Sequence, residues 1–488
     1  MENLTTPRKK MFVEGEWVES VTRETIEIEN PAHRGSVLAL VPRANAEDVD
    51  IAVHAAAKAF RTWRRVSSRE RGAALFKIAD YIEKNFEDLA RTNSSETGSA
   101  ISSQSRREIR SAADIYRYFA GLVSELKGTT HPVDDSVFLY TQREPYGVVG
   151  AIVPFNDPMV LSAVKIAPAL AAGNTIVLKA PEDAPLGTLS LCQAFEKFIP
   201  PGVINIITGY GEECGQPLVN HPLVNKIAFT GSTEVGKLIM HAAADRIVPV
   251  SLELGGKSPQ IVFPDSDSDK VAEGVIEAIR FSRQGQSCSS GERLFVHSDI
   301  YDSFIDRLVR KVNALSVGDP LDEGTYMGAI NNSRQFSKVC DFIKLGVHDD
   351  KMQLLCGGLA PDDGPLSEGY YVRPTLFGCE GGDSPLLEQE IFGPVMPVLK
   401  WSNEDEVIEA ANNSRYGLSA FVWVKDVSTA MRVANSLDAG WVQINSGHGP
   451  KVGTPFGGYK QSGIGREFSL ESMLDSYSQM KSVEISFK

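Results

Sequence analysis

The chain has 488 residues, 63 acidic against 49 basic, and a hydrophobic content of 42%, which allows a large core spread over roughly two to four domains. A formal net charge of -14 disfavours general binding to nucleic acid or anionic membranes, which needs clustered positive charge, and points to a small-molecule partner. The opening MENLTTPRKK lacks the apolar run of a signal peptide, and no stretch approaches the ~18 apolar residues of a membrane span, so a cytoplasmic protein is expected.

The first clear element is residues 67–90. It starts with the capping box Ser67-x-x-Glu70 and places Leu75, Ile78, Ala79, Ile82, Phe86 and Leu89 at three-four spacing, which predicts one amphipathic helix. The segment DDSVFLYTQRE (134–144) alternates as an edge strand does. From about residue 147 the texture changes to short apolar runs, GVVGAIVPF, NTIVLKAP, VINIITG and KIAFTGS, separated by stretches of helical character. That alternation predicts strand-helix units around a buried parallel sheet. A second series is expected to start at LFVHSDIYDSFIDRLVRKVNAL (294–315) and to run to about 440, giving two α/β domains. The last segment, LDSYSQMKSVEISFK (474–488), again alternates; it pairs either with the 134–144 strand or with another subunit.

Two places invite chemistry. The sequence has no G-x-G-x-x-G after its first sheet strand, so the usual dinucleotide fingerprint fails. In KIAFTGSTEVG, however, an apolar strand runs through Thr230-Gly231-Ser232 into a helix start, whose free N–H groups and positive dipole end suit a pyrophosphate. Lys179 and Glu182 follow another strand end; Glu182 is either an acceptor for ribose hydroxyls, which favours NAD over NADP, or half of a solvated charge pair. The second place is GQSCSSGERL (285–294), where Cys288 sits among glycines and serines rather than core hydrophobes. The other five cysteines have no C-x-x-C spacing and no neighbouring His pairs, so neither a metal site nor a disulfide framework is predicted.

With the loop around Cys288, the segments PFNDP (154–158), FTGS, LELGGKSP (252–259), EIFGPV (390–395) and PFGGYKQSGIGRE (455–467) resemble, in order and spacing, the aldehyde dehydrogenase superfamily. The resemblance implies a Rossmann-like NAD-binding domain (1–126 and 146–254), an α/β catalytic domain (255–458) and oligomerisation strands (127–145 and 470–488), assembled as a homodimer or homotetramer. It further implies that Cys288 is the nucleophile, Asn156 an oxyanion donor and Glu253 the general base of a hydrolytic enzyme. Glu390 and Phe392 would then hold the nicotinamide ribose, Thr230 and Gly255 would lie near the ring, and Lys179, Glu182, Gly231 and Ser232 would take the rest of the cofactor. An aldehyde yields its hydride only after a nucleophile has converted it to a tetrahedral adduct, which is why a thiol is required first.

The sequence departs from the family where the substrate enters. Asp157 replaces a common aromatic, Ser287 and Ser289 flank the thiol, and His448 lies in the loop INSGHGP where relatives often carry bulky residues. A wide, polar mouth offers small aliphatic aldehydes little apolar area to bury against, so a larger aldehyde, polar or aromatic, is expected. The other reading of Asp157 is an ion pair with Arg110 or Arg283. Three other functions fit less well: an acylating enzyme that uses coenzyme A, for which Glu253 is unneeded; a binding protein that has lost catalysis; and an esterase.

Overall fold

Residues 148–152, 175–179, 204–207, 224–230 and 250–253 are short runs rich in Val, Ile and Leu, and nearly every side chain in them is buried, the pattern of strands covered on both faces. In the computed structural model, which describes residues 6–359 and 363–488, they form the middle of an eight-stranded sheet. Its order is Glu16–Val18, Met11–Val13, Ile204–Ile207, Thr175–Lys179, Val148–Ile152, Val224–Thr230, Val250–Glu253 and Gly463–Ile464. The five central strands are parallel, and the outer ones antiparallel.

The chain moves outward in one direction from Val148–Ile152 and then returns to Val224–Thr230 on its other side, so the order reverses between these two strands. In open parallel sheets the carboxyl ends at such a reversal form a ligand crevice. Helices Pro158–Ala172, Leu186–Phe198 and Thr233–Ala244 cross between the strands. Pro158–Ala172 is apolar all round except for Ser162 and Lys165, and every residue in it is buried.

The second sheet has seven strands: Met352–Cys356, Thr375–Cys379, Val395–Trp401, Arg293–His297, Pro259–Val262, Ser419–Trp423 and Trp441–Ile444. It begins earlier than the expected 294, because Pro259–Val262 already belongs to it. This four-residue strand, PQIV, is too short to show a period beside the glycines before it.

The strands Thr130–Asp134, Val137–Pro145 and Ser478–Ser486 make a third, antiparallel sheet, in which Ser478 faces Pro145 and Ser486 faces Val137. The two stray segments therefore pair with each other within one chain. The expected single helix over 67–90 is two, Ser68–Lys84 and Phe86–Thr97, broken at Asn85, where φ is -108° and ψ 24°. Phe86 and Leu89 still pack on the same core as Leu75 and Ile82, so the apolar period continues across a break it does not register. The Ser67–Glu70 capping box is present.

Candidate active site

Cys288 lies in a loop whose backbone is unusual. Arg280, Gln284 and Gly285 all have left-handed φ, of 62°, 52° and 66°. Each non-glycine in that region costs on the order of 1 kcal/mol, so the surroundings must hold the turn. They do: the Arg280 guanidinium donates to the carbonyls of Gly447 and His448, and Gln284 Nε2 donates to Gly98 O at 2.7 Å. Gly285 is required, because a side chain there would collide with the Gly393 backbone. The result is a partly exposed thiol facing the crevice at the sheet reversal. Burial, followed by the charges of Glu390 and Glu253, pushes the thiol up to about 12, so it rests protonated.

Asn156 comes from the turn after Val148–Ile152. It lines the same crevice and donates through Nδ2 to Gln286 O at 3.0 Å, two residues from the thiol. Glu253 ends its strand buried, and neither carboxylate oxygen has a hydrogen-bond partner among the described residues. Burial and then the Glu467 carboxylate hold it well above the usual range, against Lys165. Lys165 and Glu467 form a fully buried ion pair beside it. Once ionised, a carboxyl kept dry and unpaired in this way is a stronger base towards water than an exposed one.

The crevice has a volume of about 800 Å³. Thr230, Gly231 and Ser232 line it at the end of Val224–Thr230, and Ser232 caps the next helix by accepting from Val235 N at 3.3 Å. The buried Thr230 hydroxyl has no partner among the described residues. Lys179 and Glu182 lie across from it and pair with each other at 2.8 Å. Gly255 packs so closely on Glu390 that an alanine would overlap the carboxylate. Glu390 Oε1 accepts from Gly256 N at 3.1 Å, and burial, then Glu292, pushes its carboxyl up to about 8. Phe392, with φ of 56°, stacks edge-on against Phe155. A crevice at a switch point, lined by a helix start and by Thr230, whose hydroxyl has no partner among the described residues, fits a dinucleotide.

Several organising residues escape a reading by motif. Glu292, inside GQSCSSGERL, accepts from Lys257 Nζ at 2.7 Å, Ile391 N at 3.1 Å and Phe392 N at 3.0 Å, and so shapes the segment that carries Glu390. Gln335 donates to the carbonyls of Ile391 and Phe392, and Lys338 to that of Glu390. Glu467 closes the PFGGYKQSGIGRE segment, yet only the fold brings it to Glu253.

The residues expected at the substrate mouth behave differently. Asp157 is engaged by charge: Oδ2 lies 2.7 Å from Arg283 Nη1, the ion-pair reading. Ser287 and Ser289 are buried with their hydroxyls 3.3 Å apart. The His448 ring turns outward to Glu277 at 2.7 Å, because its own carbonyl is held inward by Arg280. Beside the nucleophile loop lies a second cavity of about 410 Å³, whose walls include Ser282, Ser103, Arg107, Glu277, Lys311 and Tyr326.

Comparison with known proteins agrees with this arrangement. A family model described as "Aldehyde dehydrogenase family" matches residues 17–483. An acetaldehyde dehydrogenase from Pseudomonas aeruginosa is 40% identical over 487 residues, 99% of this chain and 95% of its own. The NAD+ complex structure of aldehyde dehydrogenase from Bacillus cereus superposes with a TM-score of 0.95 at 40% identity, over 99% of this chain and 97% of that one. An NADP-dependent enzyme from E. coli superposes with a TM-score of 0.94 at 35% identity, over 98% of each chain.

Proposed function

The chain belongs to the aldehyde dehydrogenase family, and from that premise we propose that it oxidises an aldehyde to the carboxylic acid through a covalent adduct on Cys288, with NAD preferred over NADP. The observation that carries this reading is the meeting, in one crevice, of a thiol, an amide and a dry carboxyl. Cys288 Sγ, once deprotonated, attacks the carbonyl carbon. The Asn156 amide and the Cys288 N–H take the charge that develops on oxygen; one such donor is worth roughly 3 kcal/mol. The bound dinucleotide supplies the hydride acceptor. Loss of hydride from the tetrahedral carbon leaves a thioester on Cys288. Glu253 then takes a proton from water, the water oxygen attacks the thioester carbon, and the acid departs as the sulfur recovers a proton.

Lys179 and Glu182 support binding at the adenosine ribose, where a carboxylate disfavours a 2'-phosphate. Thr230, Gly231, Ser232, Gly255, Glu390 and Phe392 complete the cofactor contacts in this reading. The size of the 410 Å³ cavity and its mixed wall, with Arg107, Glu277 and Lys311 beside Ile276, Leu315 and Tyr326, support a larger aldehyde, polar or aromatic, over a small aliphatic one. The sheet boundaries support a division into residues 1–126 and 146–254 for cofactor, 255–458 for catalysis, and 127–145 with 470–488 for assembly. Exposed Met480, Ile485 and Phe487 at the edge of the third sheet support a homodimer or homotetramer. No helix among the described residues is long and apolar enough to cross a membrane, in keeping with a cytoplasmic enzyme.

The test is cofactor reduction over a panel of aldehydes with NAD and with NADP, for the native chain and for Cys288→Ala. Activity with NAD that vanishes with the thiol is expected; activity retained by Cys288→Ala overturns the reading. A higher kcat/KM for hexanal than for a hydroxybenzaldehyde overturns the substrate proposal alone.

A further inference from the structure

Asp157 stands next to the oxyanion donor Asn156, and Arg283 stands five residues before Cys288. Their ion pair, 2.7 Å long with side chains 12% and 17% exposed, therefore ties the two halves of the catalytic centre together. The connection closes into a ring. Asn156 Nδ2 donates to Gln286 O at 3.0 Å, Gln286 N donates to Arg283 O at 2.8 Å, the Arg283 guanidinium forms an ion pair with Asp157, and Asp157 is covalently joined to Asn156.

The pair is built in from behind as well. With its amide oxygen turned to the guanidinium, Gln104 accepts from Arg283 Nε at 3.0 Å and from Nη2. All three nitrogens of the guanidinium are thereby engaged within the protein, which leaves no donor fork for a substrate carboxylate. On the other side, Glu108 is buried on helix Arg106–Gly121. It accepts from Met159 N at 3.0 Å and Asn93 Nδ2 at 2.8 Å. It thus satisfies the start of helix Pro158–Ala172, where Asp157 is the N-cap residue but makes no side-chain cap bond. Asp157 is free to point at Arg283.

We propose that Asp157 and Arg283 are positioning residues: their ion pair, backed by Gln104 and Glu108, locks the Asn156 turn to the Cys288 loop and aims the Asn156 amide at the carbonyl bound to sulfur. This rests on the roles given above to Asn156 and Cys288. The lock is needed because a single hydrogen bond, worth about 1 kcal/mol net, otherwise joins the Asn156 side chain to a loop with three left-handed residues. Burial and the neighbouring Asp157 hold the Glu108 carboxyl well above its usual range.

The test is a double-mutant cycle read as separate kcat and KM values. Asp157→Ala is expected to lower kcat about 100-fold while KM for NAD stays within about twofold, the signature of misplacement by roughly 1 Å. Asp157→Asn, which keeps the side-chain shape and an oxygen facing Arg283, is expected to keep kcat within about fivefold of native. In an Asn156→Ala background, Asp157→Ala is expected to cost less than about threefold, because the group it positions is gone. An equal loss in both backgrounds overturns the proposal, and so does a rise in KM for NAD as large as the fall in kcat. If Asp157→Ala does not fold, Arg283→Lys, which keeps the charge but cannot reach Asp157 and Gln104 together, carries the same cycle. Native kcat in Asn156→Ala would instead overturn the site reading beneath the proposal.

Discussion

Replacing Glu253 by Gln separates what the carboxyl does for chemistry from what it costs the fold. A positioned general base contributes about 10²–10⁴-fold to the step it serves. The account gives Glu253 only the thioester hydrolysis, so hydride transfer should survive in the variant. Rapid mixing of Glu253→Gln with NAD and aldehyde should then show about one equivalent of NADH formed quickly, followed by turnover slowed by about 10²–10⁴-fold. The same substitution has an opposite effect on stability. The native carboxyl is buried with both oxygens unpartnered among the described residues and is repelled by Glu467, so the folded state keeps a proton that the unfolded chain releases above about pH 4.3. Its cost to folding therefore grows as pH rises through that value. Gln carries no such cost. Thermal unfolding should show Glu253→Gln more stable than native at about pH 8 and equal to it at about pH 4. Loss of the initial burst along with turnover, or a lower unfolding midpoint at the higher pH, would refute the reasoning.

Glu292→Ala removes the partner of buried Lys257 and orphans two N–H groups, so it should destabilise the protein by about 3–5 kcal/mol. Because those N–H groups belong to Ile391 and Phe392, KM for NAD should rise as well; denaturant titration and initial rates check both. Gly256→Ala would drive a methyl into the Cys288 carbonyl, and an unchanged KM for NAD with kcat reduced about 100-fold is expected. With the thiol pushed up to about 12, alkylation of Cys288 by iodoacetamide in the cofactor-free enzyme should be slow at neutrality and rise about tenfold per pH unit, read by peptide mass spectrometry. Activity should fall as pH drops through the raised range of Glu253, because only the ionised carboxyl can take the proton from water.

The parts of this account that sequence carried were those bound to short contiguous motifs. Asn156, Glu253, Cys288 and Glu390 sit in short contiguous segments whose resemblance to the family gave each its expected role, and Thr230–Ser232 ends an apolar strand at a helix start. The strand runs from 148 to 253 were legible because burial on both faces leaves continuous apolar stretches. What escaped depends on contacts across long separations. Asp157 meets Arg283 across the two sheets, while Glu253 meets Glu467 and Glu292 meets Phe392 only because strands far apart in sequence are neighbours within one sheet. Charge type alone gave Arg110 and Arg283 equal standing as partners of Asp157; the left-handed turn at Arg280 and Gln284 is what swings Arg283 inward. The break at Asn85 was hidden because both helices bury the same face.

The central claim is that the aldehyde carbon becomes bonded to Cys288. The most direct measurement is acid quenching of Glu253→Gln after mixing with NAD and a turned-over aldehyde, followed by peptide mapping for added acyl mass. The account predicts that mass on the peptide containing Cys288 and its loss on treatment with hydroxylamine. NADH formation with no acyl group on Cys288, or with the group on another side chain, would contradict it.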